Sequence, residues 1–415
     1  MLQALYISTT ISFVMTTFFA MVFRPLARTI GLVDVPNERK VHTGEIPLVG
    51  GIAIFCAVFI AHLSSLFFTP INDVVVNYGT FYTAGGLLLV VGMIDDFRHL
   101  SPTIRLIGEV IAALLISVSA GAVLYDLGDL SPSGNGVTLG LFAIPFTVFA
   151  TVGVINAVNM SDGLDGLAGG LTLVSIIGFI VATTVFGNGD DLLFLSCLAA
   201  GISAFMLFNV TVPGIRRALI FLGDSGSMFL GLAIAWIAIR FSQGADAVIS
   251  PSATLWFVAL PVYDAVCMAG RRILRKRALF GADKEHLHHI FLLAGFTVTE
   301  TVLTMAGLAA VGVAIGLLGT FFNISDWVLA GTFLVVGLLY FWMIIRAWSV
   351  MRFLQRSICR RRSIVDRRQS ADRRRHRSAA YKGSERRRGI DRRTLERRKN
   401  GETSETGTRS DDGSY

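Results

Sequence analysis

Residues 1–23 read MLQALYISTTISFVMTTFFAMVF, a run without a charged side chain, and the first basic residues, Arg24 and Arg28, come only after it. A secretory leader carries its positive charge ahead of the apolar run, so this segment is expected to be a retained first helix. Similar charge-poor runs recur along the chain at 46–68, 74–94, 104–125, 137–160, 166–188 and 192–215, then at 225–239, 247–263, 301–324 and 327–345. At 1.5 Å of rise per residue, roughly 17–25 apolar residues cross a hydrocarbon core. Most of the runs reach that length; 225–239 is short and needs its flanks. The expected fold is all-α, a polytopic membrane protein with about eleven transmembrane helices.

Composition agrees. Of 415 residues, 53% are hydrophobic and only 16% charged, where a soluble domain carries about 25% charge. There is too much apolar side chain for the bulk of the chain to stay solvated and disordered. The net charge of +8 is unevenly held: from Arg346 onward there are 22 Lys and Arg against 9 Asp and Glu, so the preceding 345 residues are mildly acidic. Basicity is therefore no sign of nucleic-acid binding. Cys56, Cys197 and Cys267 sit in apolar runs and Cys359 in the tail, without a CxxC pair; they read as small buried residues rather than a disulfide or metal framework.

Lys and Arg concentrate in short loops on the cytoplasmic side of a bilayer. Alternating the spans places 24–45, 95–103, 161–165, 216–224 and 264–300 on one side with the tail, and these hold nearly all the basic residues. The opposite loops hold acids and only Arg240. The N-terminus is expected outside and the C-terminus in the cytoplasm. Residues 1–349 form the expected transmembrane domain. Residues 350–415 repeat an acid–Arg–Arg unit (Asp366-Arg367-Arg368, Asp372-Arg373-Arg374, Glu385-Arg386-Arg387) and read as a disordered basic tail able to meet anionic lipid.

Four hydrophilic motifs fall on that same cytoplasmic side: Asp95-Asp96 at a span end, Asn156 to Gly166 between two spans, Phe221 to Ser227 opening the next, and His286-Leu287-His288-His289 in the long basic loop. Adjacent carboxylates persist where a cation, a proton or basic groups compensate them. Asp162 and Asp165, three apart, are expected on one face of the first turn of the following helix, with Gly163 and Gly166 leaving room for phosphate. Ser225 and Ser227 are placed as caps for the helix after Asp224. Helix N-termini and glycine turns suit phosphate, and oxygen-only carboxylates suit Mg²⁺ rather than Zn²⁺. Without a thiolate or an HExxH pattern, the histidines do not read as a zinc cluster. Together the motifs indicate metal-assisted phosphoryl transfer on a diphosphate.

These residues, with Asp34 to His42 and Pro47-Leu48-Val49-Gly50-Gly51, resemble the polyprenyl-phosphate N-acetylhexosamine-1-phosphate transferase family over about residues 1–350. The resemblance implies an enzyme of the bacterial inner membrane with its active site on the cytoplasmic face. Its implied partners are undecaprenyl phosphate, a UDP-N-acetylhexosamine and membrane lipids, and not nucleic acid; a homodimer is compatible with it. The lipid phosphate attacks the β-phosphorus of the UDP-sugar with Mg²⁺ (or Mn²⁺) as cofactor, and UMP leaves. Carried over by position, Asp224 resembles the metal ligand. Asp95 and Asp96 resemble the pair that either activates the lipid phosphate or supports the metal, and Asp162 and Asp165 complete the catalytic set. Asn159, with Asp162 and Asp165, resembles residues lining the nucleotide–diphosphate pocket, while Lys40, His286, His288 and His289 match basic positions near phosphates and sugar; Asn156 and Arg271 are further candidate substrate-binding residues. The His-Leu-His-His run departs from the three consecutive histidines of the phospho-MurNAc-pentapeptide branch, which favours the hexosamine branch without fixing the sugar. The overall resemblance implies N-acetylglucosamine-1-phosphate and a first membrane step of O-antigen or related glycan synthesis, with UDP-MurNAc-pentapeptide as an alternative donor. Other UDP-N-acetyl sugars use similar motifs. A secondary transporter, from another class, would carry its acids at the midplane of repeated halves; here they sit at span ends and no repeat is visible.

Overall fold

The computed structural model describes residues 2–35, 44–67, 71–132, 136–187, 189, 191–211, 217–244, 247–276 and 286–346. Lys40, Arg216, Arg277 and the Arg-rich tail lie outside the described residues. Among the described residues, eleven helices are long and apolar enough to cross a membrane, in register with the eleven apolar runs. They are α1 (Leu2–Ile30), α2 (Gly50–Phe67), α3 (Ile71–Arg98), α4 (Pro102–Ser119), α5 (Gly140–Met160), α6 (Leu167–Val185), α7 (Leu192–Asn209), α8 (Gly223–Ser242) and α9 (Pro251–Leu274), then, after the short α10 (Leu287–Leu293), α11 (Val298–Phe321) and α12 (Asp326–Arg346).

The boundaries differ where side chains decide them. The 104–125 run stops being helical at Ser119, after a wide turn over Leu115–Ser119 that leads into Gly121 at φ +66°. The 225–239 run gains Gly223 and Asp224 at one end and reaches Ser242 at the other. The largest correction is α9: the apolar run ends at Tyr263, but the helix continues to Leu274, carrying Asp264, Arg271 and Arg272 as buried residues. Charge ended the run in the sequence, yet these side chains lie inside the bundle, where membrane proteins keep their rare ionisable groups, and Asp264 is satisfied there by three hydrogen bonds.

The centre of the bundle is α8. Of its apolar window 89% is buried, against 22% for α1 and for α12, and it packs on α2, α3, α5 and α6. Small residues permit this close approach: Gly226 lies against Gly51, Ser225 against Gly92, and Gly231 against the backbone of Ile155. The outer helices keep Phe13, Phe18 and Met21, and Leu334, Leu338 and Leu339, exposed. Apolar belts of that kind suit lipid, which offers the backbone no hydrogen bonds and so admits helices.

α3 and α8 run antiparallel. Phe81 stacks on Trp236 (centroids 4.7 Å apart) towards one end, and Asp96 meets the first turn of α8 at the other. A two-stranded sheet, β1 (Val33–Asp34) and β2 (Ile46–Pro47), lies beside that second end.

Candidate active site

The Pro47–Gly51 turn and the Phe221–Asp224 motif, far apart in sequence, are joined by backbone. Phe221 N–H donates to Pro47 O (2.8 Å), Gly50 N–H to Phe221 O (2.9 Å) and Gly51 N–H to Leu222 O (3.0 Å). This ladder fixes where α8 begins. Gly223 has φ +76°, a left-handed turn that costs glycine little, and a Cβ there would strike the Asp96 carboxylate. α8 has no side-chain cap of its own. Asp96 supplies it from α3: Oδ1 accepts from Asp224 N–H (2.9 Å) and Oδ2 from Ser225 N–H (3.4 Å). A carboxylate at the positive end of a helix is favourable. The expected capping serines are not caps. Ser227 Oγ donates back to Gly223 O, and Ser225 Oγ is buried with no partner among the described residues.

With Asp96 engaged, Asp95 and Asp224 face each other across a residue that the motif search passed over. Arg105 Nη1 lies 2.9 Å from Asp95 Oδ2 and 3.6 Å from Asp224 Oδ2, and its Nη2 donates to Asn159 Oδ1 (2.8 Å). Asn159 Nδ2 in turn donates to Asp224 Oδ1 (2.7 Å) and Ser227 Oγ (2.8 Å). Leu100 N–H donates to Asp95 Oδ1 (2.6 Å). One turn along α4 from Arg105, the buried Glu109 accepts from Asn156 Nδ2. So α4 and α5 are tied by two rungs, Arg105–Asn159 and Glu109–Asn156. The amide nitrogen of Asn156, expected at the substrate, is occupied by Glu109 and by Val152 O.

Asp162 and Asp165 lie in the turns before α6, which begins only at Leu167, and not on its first turn. Gly166, at φ +85°, donates its N–H to Asn209 Oδ1 (2.7 Å), and Asn209 Nδ2 holds Ile220 O. Thr211 donates to Asp165 Oδ2 (2.6 Å). Asp162 keeps an exposed surface, but the protein crowded around it, followed by the charges of Asp224, Asp96, Asp165 and Asp34, pushes its carboxyl up to about 8.

The histidine motif closes onto the same turn. His288 Nε2 occupies the space where a Cβ on Gly163 would go, so the room beside that glycine holds an imidazole. His288 is buried, and among the described residues neither ring nitrogen has a hydrogen-bond partner. Burial, aided by His289 and His286, pushes it down to about 3, which keeps the ring neutral. The His286 and His288 rings lie parallel, centroids 5.6 Å apart, and His289 is 4.2 Å from His288. Arg271 is buried on α9.

The donors around Arg105 are all oxygen, from Asp95, Asp96, Asp224 and Asn159, a set that suits a hard divalent cation. No group of three His, Cys, Asp or Glu stands preassembled as a cage among the described residues. Mg²⁺ needs no such cage: it takes one or two carboxylates and fills its octahedron with water and substrate phosphate. Asp95 and Asp224 supply two, so the residues fit.

Of the residues singled out in the sequence, Asp95, Asp96, Asn159 and Asp224 form one bonded cluster, with Asp162 electrostatically coupled to it. Arg105, Glu109, Asn209, Thr211 and Asp264 join the site from outside the motifs. For Arg105 and Glu109 the available signal was charge within an apolar run, which in a bilayer marks a residue facing the bundle interior.

Known proteins bear on this arrangement. The sequence model of Glycosyl transferase family 4 matches residues 78–242, spanning α8 and most of α3. The chain is similar to undecaprenyl-phosphate alpha-N-acetylglucosaminyl 1-phosphate transferases from Yersinia pestis (37% identity over 349 residues, 83% of this chain and 92% of the relative) and Escherichia coli O157:H7 (35% over 348 residues, the same shares). A third, from Haemophilus influenzae, is 32% identical over 335 residues, 81% of this chain and 92% of the relative. The chain belongs to the polyprenyl-phosphate N-acetylhexosamine-1-phosphate transferase family. It is accordingly a multi-pass membrane protein and a phosphosugar transferase, and the cluster at the Asp96 end of α8 is the candidate active site of such an enzyme.

Proposed function

We propose that the chain transfers N-acetylglucosamine-1-phosphate from UDP-N-acetylglucosamine to undecaprenyl phosphate on the cytoplasmic face of a bacterial inner membrane. A phosphate oxygen of the lipid bonds to the β-phosphorus, the bond from that phosphorus to the bridging oxygen breaks, and UMP leaves with the electron pair. The product is a lipid-linked diphospho-sugar, suited to begin O-antigen or a related envelope glycan. The observation that carries this reading is the convergence of Asp95, Asp224 and Asn159 on Arg105, beside an α8 N-terminus already capped by Asp96.

The chemistry needs placement and charge compensation more than covalent help. Mg²⁺, bound by Asp224 and Asp95, would neutralise charge developing on the diphosphate. Arg105 holds the two carboxylates against mutual repulsion and offers a guanidinium for phosphate. Asn159 keeps both Asp224 and Arg105 oriented. Asp95 is placed to orient the lipid phosphate, and a lipid phosphate needs little help from a base because it is largely ionised near neutral pH. Asp162, Asp165 and the histidines line the donor side. The asymmetry of Lys and Arg between the loops supports a cytoplasmic site and an external N-terminus.

The test is UMP release and formation of lipid-linked sugar by purified protein with Mg²⁺, undecaprenyl phosphate and a panel of UDP-sugars. UDP-N-acetylglucosamine should be turned over with the highest kcat/KM. Folded protein that yields no product from any UDP-N-acetylhexosamine would sink the proposal, and a different preferred sugar would correct its donor.

A further inference from the structure

A buried carboxylate outside the four motifs organises one of them. Asp264, on α9, is 4% exposed and accepts three hydrogen bonds: from His286 Nδ1 (2.8 Å), from the Leu287 N–H at the start of α10 (3.0 Å) and from the Tyr340 hydroxyl of α12 (2.9 Å). Among the described residues its only ion-pair partner is His286. Isolated charge inside a membrane bundle is costly and marks a function or a partner. Fastening α9 to α12 does not require it. Tyr263 Oη already donates to Phe333 O (2.7 Å) and Trp256 Nε1 to Leu329 O (3.2 Å).

We infer that Asp264 is the positioning residue of the histidine motif. A carboxylate only accepts, so it fixes Nδ1 of His286 as a donor and leaves Nε2 as the atom free to meet substrate, the arrangement by which outer carboxylates orient functional imidazoles. The same carboxylate pins the first N–H of α10, and with it the helix that carries His288 and His289. The parallel stacking of His286 on His288, and the seating of His288 against Gly163, extend that constraint to the turn carrying Asp162. Asp264 thus sets the distance between the histidines and the donor side of the site without touching substrate. This inference rests on the transferase reading for its kinetic consequence, but not for its structural one.

The experiment uses the full-length protein in lipid nanodiscs. Asp264→Asn keeps an acceptor for Leu287 and Tyr340 but loses the charge facing His286. It should lower kcat/KM by about 10–100-fold, the usual cost of losing an outer-shell carboxylate. The loss should appear in the KM for UDP-N-acetylglucosamine, with the KM for undecaprenyl phosphate unchanged. On a His286→Ala background Asp264→Asn should cost nothing more, because residues acting as one unit are non-additive. His286→Ala should also lower Tm by stranding the carboxylate, and adding Asp264→Asn should restore it. Diethyl pyrocarbonate labelling should reach His286 faster in Asp264→Asn than in wild type. Unchanged labelling and kinetics in Asp264→Asn, or losses that multiply in the double variant, would overturn the inference. If wild-type protein makes no lipid-linked sugar, the transferase reading fails, while the labelling and Tm comparisons still decide the role of Asp264.

Discussion

The two ends of the α3–α8 pair are built from the same helices and differ in charge balance. At the end away from the site, Tyr78 and Arg240 both reach Asp191 Oδ1 (2.5 and 3.1 Å). The Arg240 guanidinium lies 5.0 Å from the Trp236 ring and 5.9 Å from Tyr78, and His62 Nδ1 pairs with Tyr82 Oη (2.9 Å). One acid meets one guanidinium under a roof of aromatic rings. At the site end, Asp95 and Asp224 meet Arg105, Asp96 caps the start of α8 beside them, and the charges of Asp224 and Asp96 act on Asp162. Among the described residues, the acid and the guanidinium at the balanced end match one for one, and that end reads as a fastening. The acidic end has more negative charge than its own cation offsets, which suits a place completed by a divalent ion and substrate.

That contrast can be broken by mutation. Asp224→Asn at the acidic end should lower kcat by about 10²–10³-fold, the scale for removing one preorganised electrostatic group, and leave Tm nearly unchanged; full activity would mean the cluster is structural. Gly51→Ala presses a methyl into the backbone of Gly226, and such overpacking should cost about 1–3 kcal/mol. Because Gly51 also holds Leu222 O, its loss of stability should come with loss of turnover, both readable on one sample. Arg240→Gln at the balanced end should cost about 1–2 kcal/mol in thermal or denaturant unfolding, the scale of a partly buried charged hydrogen bond, with kcat intact; a loss of activity there would erase the distinction between the ends.

The smallest effect concerns pH. With its carboxyl pushed up to about 8, Asp162 is mostly protonated below that pH and becomes an anion above it. An anion repels a diphosphate, so the KM for the UDP-sugar should rise as pH increases through 8, and Asp162→Asn should flatten that rise. A KM that falls with pH would give Asp162 the opposite role, as a ligand for a cation.

The architecture was legible because lipid leaves so few alternatives. Eleven charge-poor runs became eleven helices, and the sidedness of the basic loops gathered the motifs before any contact was known. Three parts were hidden. Arg105 and Glu109 lie inside a run otherwise apolar, where a motif search does not look, and only packing shows that they pair with Asn159 and Asn156. Asp264 follows the point where hydropathy falls, so the sequence assigned it to a loop, although three donors keep it buried on a helix. The partition of Asp95 from Asp96 was also out of reach: neighbours in sequence point to an arginine and to a helix end, a difference that composition cannot express.

That partition has a practical meaning for anyone altering the site. Asp96 moors the start of α8 while Asp95 meets Arg105 and Leu100, so equal chemistry does not make them exchangeable. An amide at Asp96 would set an NH₂ against one of the two backbone N–H groups it now receives, and the helix start that presents Asp224 would loosen. Inactivity of such a variant would then report a displaced neighbour rather than a missing reagent, and only its lower resistance to heat would tell the two apart.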